Sequence, residues 1–183
     1  MSRKGAWGGA DNSRKRKARS LPTGSGFCVP LPIGLLASPA WAATSRQTRR
    51  LVDALMIEHG EHGGEENGNL KAPYDTLQAR GMRRADIKRA ICEGAALGII
   101  EATLGRRSHG AKRLPTVYRL TWLGTPDGLA ATNEWKAIKT DEEARVRVEN
   151  AMAALERERA IKAASRQERA MRLAAKAKLT RTA

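Results

Sequence analysis

The stretch Arg83-Arg84-Ala85-Asp86-Ile87-Lys88-Arg89-Ala90-Ile91-Cys92-Glu93-Gly94-Ala95-Ala96-Leu97-Gly98-Ile99-Ile100-Glu101-Ala102-Thr103 decides the fold. Ile87, Ala90, Ile91 and Gly94 recur at helical spacing, which predicts a helix over residues 83–96 with these four on its inner face. Gly98 closes it, because glycine takes the left-handed conformation after a helix without steric cost. At about 3.6 residues per turn, Ala85, Arg89 and Cys92 point away from the inner face, and Arg84 and Lys88 flank them. The outer surface is therefore basic, and the small residues Ala85 and Ala96 would let it come close to a ligand. Residues 99–103 then turn to strand character.

A partner strand follows over residues 117–123, where Tyr118, Leu120 and Trp122 alternate with Arg119 and Thr121. The connection between the two strands holds Arg106, Arg107, His109, Lys112 and Arg113, a basic loop at the tip of a hairpin. Upstream, Thr44 with Gln47 has the form of a capping box. Thr48, Leu51, Val52 and Leu55 behind it predict a first helix over residues 45–59. The glycine-rich residues 60–68 end that helix, and residues 69–71 read as a short extended segment. Residues 74–80 form a second short helix stopped by Gly81. Three helices followed by a hairpin is the order of a winged helix, in which the third helix enters the DNA major groove.

Outside this unit, residues 1–26 are rich in Gly, Ser, Arg and Lys and too poor in large apolar residues to offset chain entropy, so a disordered basic arm is expected. The alternation of Phe27, Val29, Leu31 and Ile33, interrupted by Pro30 and Pro32, predicts an extended edge segment, with Leu35, Leu36 and Trp41 as anchors of a short helical turn. Residues 27–123 make the domain and residues 124–140 a linker with a short helix. Residues 141–183 are a basic, charged helix rich in Ala, Glu, Arg and Lys. Val148, Met152 and Leu155 begin an apolar stripe there, but Arg159 and Lys162 occupy the next heptad positions, which argues against a stable coiled coil. The fold class expected is mainly α with a small β-hairpin: a winged helix-turn-helix with a long C-terminal helix and a disordered N-terminal arm.

The chain of 183 residues carries 34 Lys and Arg against 19 Asp and Glu, a formal charge of +15. Residues 1–26 hold 7 basic and 1 acidic side chains, residues 27–135 hold 14 and 11, and residues 136–183 hold 13 and 7. The excess thus lies mostly in the flanks, as for a folded reader with basic arms, and a polyanion partner is implied. Cys28 and Cys92 are too few and too far apart for a disulfide framework or a zinc site. The basic stretch at residues 14–19 ahead of an apolar run resembles a signal peptide. Pro30 and Pro32 break that run, so the expected location is the cytoplasm, nucleoid-associated, with no membrane span.

The segment Glu58-His59-Gly60-Glu61-His62-Gly63-Gly64-Glu65-Glu66 crowds metal-ligand residue types, but the His-Glu-x-x-His spacing is absent and the glycines predict a turn. No triad order, Walker loop or carboxylate pair stands out, so no enzyme activity and no cofactor or metal is expected. The partner expected is double-stranded DNA, bound with a sequence preference by Arg83, Arg84, Lys88 and Arg89 in the major groove. Arg106, Arg107, Lys112 and Arg113 would hold backbone or minor groove. A homodimer is compatible with that mode. The alternative class is an RNA-binding or protein-interaction adaptor that uses the wing, the tails and the C-terminal helix.

Ser38-Pro39-Ala40-Trp41, Glu58-His59 with Gly63-Gly64, Glu66-Asn67-Gly68-Asn69-Leu70, Tyr74-Asp75, Ala96-Leu97-Gly98-Ile99-Ile100-Glu101, Gly105-Arg106 and Tyr118-Arg119-Leu120-Thr121 form a pattern over residues 27–123. It resembles a family of small winged-helix proteins of alphaproteobacterial, especially rhizobial, plasmids and mobile elements, mostly of unknown function. The layout is more loosely similar to the winged-helix domains of phage and plasmid replication initiators. The resemblance implies a transcriptional regulator or a factor in replication or maintenance of a mobile element. Members often carry a histidine in the third helix where this chain has Arg84-Ala85-Asp86.

Overall fold

A computed structural model describes residues 28–103, 105 and 115–179. The expected basic arm over residues 1–26 lies outside the described residues. In chain order the elements are α1 (Ile33–Leu36), α2 (Pro39–Ala42), α3 (Arg46–Glu61), β1 (Leu70–Lys71), α4 (Tyr74–Ala79), α5 (Arg84–Ala96), β2 (Ile100–Thr103), β3 (Val117–Leu120), a 3-10 turn (Glu134–Ala137) and α6 (Asp141–Leu179). The chain is mainly helical, with one small antiparallel sheet and a long C-terminal helix.

Helix α3 begins one residue later than the capping box at Thr44 and Gln47 suggested. Ser45 is the N-cap, its hydroxyl accepting from the Thr48 amide at 3.2 Å. The Thr44 hydroxyl is committed to the end of α2: it donates to the Trp41 carbonyl at 2.7 Å and accepts from Arg49 Nε at 2.8 Å. The reciprocal half of the box comes from far along the chain, because Glu93 of α5 accepts from the Ser45 amide. Leu51, Val52 and Leu55 are fully buried on the inner face of α3.

In α5 the inner face is the expected one, with Ile87, Ala90, Ile91 and Gly94 buried. A Cβ on Gly94 would lie 3.1 Å from the Ile100 side chain and 3.4 Å from Thr48 Cγ2, so a hydrogen at this position lets α3, α5 and β2 meet. Helix α4 ends at Arg80, and Gly81 follows at φ +82°.

The sheet order is β1-β3-β2. Strands β2 and β3 form the expected hairpin, pairing Ile100 with Leu120 and Thr103 with Val117. The segment read only as extended adds a third strand, with Leu70 opposite Tyr118. Asn67 fixes this edge. Its amide nitrogen donates to the carbonyls of Leu120, Leu123 and Gly124 at 3.0 to 3.1 Å, and its oxygen accepts from the Leu120 amide at 2.7 Å. Tyr118 and Leu120 point into the core.

Three regions pack differently from expectation. The edge segment at residues 27–33 is not a strand in its described part. Pro32, at φ −63°, is the N-cap of α1, because a proline that cannot serve a strand interior is preset for a helix start. Leu35 is buried, whereas Ile33 is 82% exposed, and Trp122 Nε1 donates to the Pro30 carbonyl at 2.9 Å. The stretch at 124–140 holds the expected short helix, but Trp135 and Ile138 belong to the same core as Leu51, so packing does not break where a linker was expected. Gly98, at φ +64°, sits under this turn and its carbonyl accepts from the Trp135 amide at 3.2 Å. In α6, finally, Ala144 and Leu155 are buried and Val148, Ala151 and Met152 half-buried, while residues 159–173 are all exposed. Only its second half is the solvated helix expected from composition.

Candidate nucleic-acid interface

The first turns of α5 are built from charged side chains whose partners come from three elements. Arg83 is the N-cap residue in extended conformation; its side chain does not cap but pairs through Nε with Asp86 Oδ2 at 2.7 Å. Asp86 also lies in the first helical turn, where a negative charge suits the helix dipole. Arg84 Nη1 reaches Asp75 Oδ1 at 3.2 Å and Gln78 Oε1 at 3.0 Å, and its guanidinium stands 5.4 Å from the Tyr74 ring centroid. That triple contact ties α4 to α5 and holds the guanidinium in place while leaving it exposed. Arg89 is exposed and makes none of the ion pairs among the described residues.

Lys88 stands apart from these arginines. Its Nζ lies 2.6 Å from Glu158 Oε2 of α6, and it is half-buried beneath that helix. Glu158 accepts from Lys162 as well, and these two ammonium groups hold its carboxyl at about 2, against an ordinary 4.5. Cys92, one turn after Lys88, also faces α6: burial pushes its thiol up, with Lys88, Glu158 and Arg159 close enough to act on it electrostatically. The outer surface of α5 is thus divided lengthwise. Its Lys88 and Cys92 side is covered, and its Ala85 and Arg89 side is open.

Arg106, Arg107, Lys112 and Arg113 lie outside the described residues. Their flanks are placed: Thr103 pairs with Val117. Of the eight basic residues picked from the sequence, Arg84, Lys88 and Arg89 lie on α5 and Arg83 at its N-cap, with Lys88 turned to an intramolecular partner. Sequence reasoning missed Glu158, which decides what Lys88 does. The heptad line through Leu155 and Arg159 was the only signal, and it pointed to α6 without naming its counterpart.

The Glu58 to Glu66 segment is divided between interior and solvent. His59 is buried, and that burial lowers its imidazole. His62 is exposed and raised, chiefly through its 2.8 Å hydrogen bond with the Glu58 carbonyl. Among the described residues no group of three or more His, Cys, Asp and Glu side chains is arranged to hold a metal ion. A cleft of about 500 Å³ opens on the sheet side, lined by Glu65, Glu66, Glu101, Asp127 and Arg119 among others; its acidic rim does not suit a polyanion. No helix among the described residues is long and apolar enough to cross a membrane. Comparison with protein families, curated proteins and solved structures finds no match for this chain.

Proposed function

We propose that residues 27–123 are a winged helix that binds double-stranded DNA with a sequence preference, α5 being the reading helix and the β2–β3 connection the wing. The observation that carries this reading is the order α3, β1, α4, α5, β2, β3 with sheet order β1-β3-β2, combined with exposed Arg83, Arg84 and Arg89 in the first two turns of α5. In helix-turn-helix docking the N-terminal residues of the second helix of the motif approach the base edges. An arginine held by Tyr74, Asp75 and Gln78, as Arg84 is, presents a pre-oriented fork that can exchange its carboxylate for guanine or phosphate acceptors. Arg106, Arg107, Lys112 and Arg113 would then lie on backbone or in the adjacent minor groove. In this reading Lys88, paired with Glu158, seats α6 and leaves the base edges to the arginines.

The role is that of a transcriptional regulator or a replication or maintenance factor of a mobile element, acting without enzymatic chemistry or cofactor in the nucleoid. Selection from random duplexes, followed by mobility shift of the selected site with Arg84→Ala and Arg89→Ala, tests it. Loss of preference for the selected site is expected; undiminished binding by the double variant would remove the site assignment. One observation favours the alternative of an RNA or protein adaptor, namely that α6 covers the Lys88 side of α5 and narrows the surface available to a major groove. Competition between duplex DNA and duplex RNA separates the two, since an A-form major groove is too narrow for a helix.

A further inference from the structure

Helix α6 changes character along one line of residues. Val148, Met152, Leu155, Arg159, Lys162, Arg166 and Arg169 follow one another at alternating spacings of four and three, so they share one face. Leu155 is buried and Val148 and Met152 half-buried against the body of the protein. From Arg159 to Arg169 the same face is exposed and basic, and Lys162, although it pairs with Glu158, keeps its side chain 60% exposed. Charge divides at the same point: residues 141–158 carry three basic and six acidic side chains, residues 159–179 carry seven and one.

The direction of the helix makes this placement useful. The first turns of α6 lie beside the end of α2, with Ala42, Ala43, Asp141, Arg145 and Val148 around one cleft; Ser45, just beyond α2, is bonded to Glu93 late in α5. At Glu158, α6 has come level with Lys88, early in α5. It therefore runs along α5 against that helix's direction, toward the end that carries Arg83 and Arg84. Residues 159–179 continue past Lys88 for about 30 Å at the helical rise. The step from Arg159 to Arg169 covers about 15 Å, longer than the width of about 12 Å of a major groove.

Resting on the duplex-binding reading above, we infer that Arg159, Lys162, Arg166 and Arg169 form a phosphate-binding arm, seated by the Lys88–Glu158 pair, that grips the DNA backbone beside the site read by α5. The partner is the duplex and not a second copy of the helix, because four successive basic residues at core heptad positions would repel in a homodimeric coiled coil. Ile161 and Met171 lie off the line, and Leu173, which continues it, is a single exposed apolar position and makes no seam.

Salt titration of the full chain on a duplex of about 30 base pairs lacking the selected site tests the arm. Each phosphate contact contributes about 0.9 to the slope of log affinity against log salt. The variant with Arg159, Lys162, Arg166 and Arg169 all changed to Gln should lower that slope by about three to four and weaken binding more than tenfold near 0.15 M salt. Replacing the three arginines by Lys should leave the slope unchanged, and helix content by circular dichroism should match in both. An unchanged slope in the Gln variant overturns the arm. If that variant also keeps a site preference that Arg84→Ala with Arg89→Ala abolishes, the duplex-binding reading survives without it. A lowered slope in a protein with no site preference keeps the arm and removes sequence reading. Absence of any duplex binding by the wild type removes both. A change of oligomeric state in the Gln variant would make the stripe a protein interface and overturn the arm as well.

Discussion

Arg89 and Lys88 are neighbours in sequence with opposite circumstances, and their substitutions should separate stability from binding. Arg89→Ala removes an exposed side chain with no ion pair among the described residues, so unfolding free energy should move by about 0.5 kcal/mol or less. Affinity for a selected duplex should fall by about 1–3 kcal/mol in a mobility-shift titration. Glu93→Ala should do the reverse. It leaves the Ser45 amide without its acceptor at the start of α3 and should cost about 1–3 kcal/mol in denaturant unfolding while sparing the reading surface. Glu158 contributes to the pH dependence at the acid end. Its carboxyl is ordinary near 4.5 in an unfolded chain and held at about 2 in the folded one. Its contribution is therefore fully present above about 4.5 and is lost as pH falls toward 2. A carbon-detected NMR titration should give Glu158 a midpoint well below 4.5, and Lys88→Met should raise it.

At the scale of elements, contacts distant in sequence fix how helices and sheet meet. Gly98 ends α5 at φ +64°, and a Cβ there would stand 2.7 Å from the Trp135 amide nitrogen. Gly98→Ala combines a left-handed non-glycine residue with a backbone clash, so a loss of about 2–4 kcal/mol is expected in chemical denaturation. A variant as stable as wild type would mean that the 3-10 turn does not hold its place against α5. The periodicity of α3, α4, α5, β2 and β3 could be read from the chain because each has a one-sided apolar pattern or a glycine stop. The capping pattern places the N-cap of α3 one residue early and the apolar alternation carries an edge strand to Ile33, where α1 begins, because Thr44, Ser45 and Pro32 each permit two local readings; the short helical turn expected around Leu35, Leu36 and Trp41 is present as α1 and α2. Tertiary partners, Glu93 for Ser45 and Trp122 for Pro30, accompany the conformations adopted.

For the whole molecule, the long helix is divided between structure and proposed binding. A chain ending at residue 158 keeps Ala144, Val148, Met152 and Leu155 packed, so its thermal midpoint should equal that of the full chain within a degree or two. A chain ending at residue 140 uncovers those contacts and the Lys88 side of α5, and its midpoint should fall by several degrees. Equal midpoints for both truncations would show that α6 docks too weakly to position anything.

The sequence by itself determined the elements and the distribution of charge. Helical spacing, glycine stops and the counts of basic residues are local properties that survive whatever the chain packs against. Tertiary structure alone decided which basic residues remain open. Arg84, Lys88 and Arg89 all fall on the outer surface of α5 in a helical projection, and only their neighbours distinguish them: Asp75 and Gln78 of α4 hold Arg84, Glu158 of α6 sits on Lys88, and Arg89 is left exposed. A charge gains or loses its role through what lies within a few ångströms of it, and those neighbours are here up to 70 positions away along the chain.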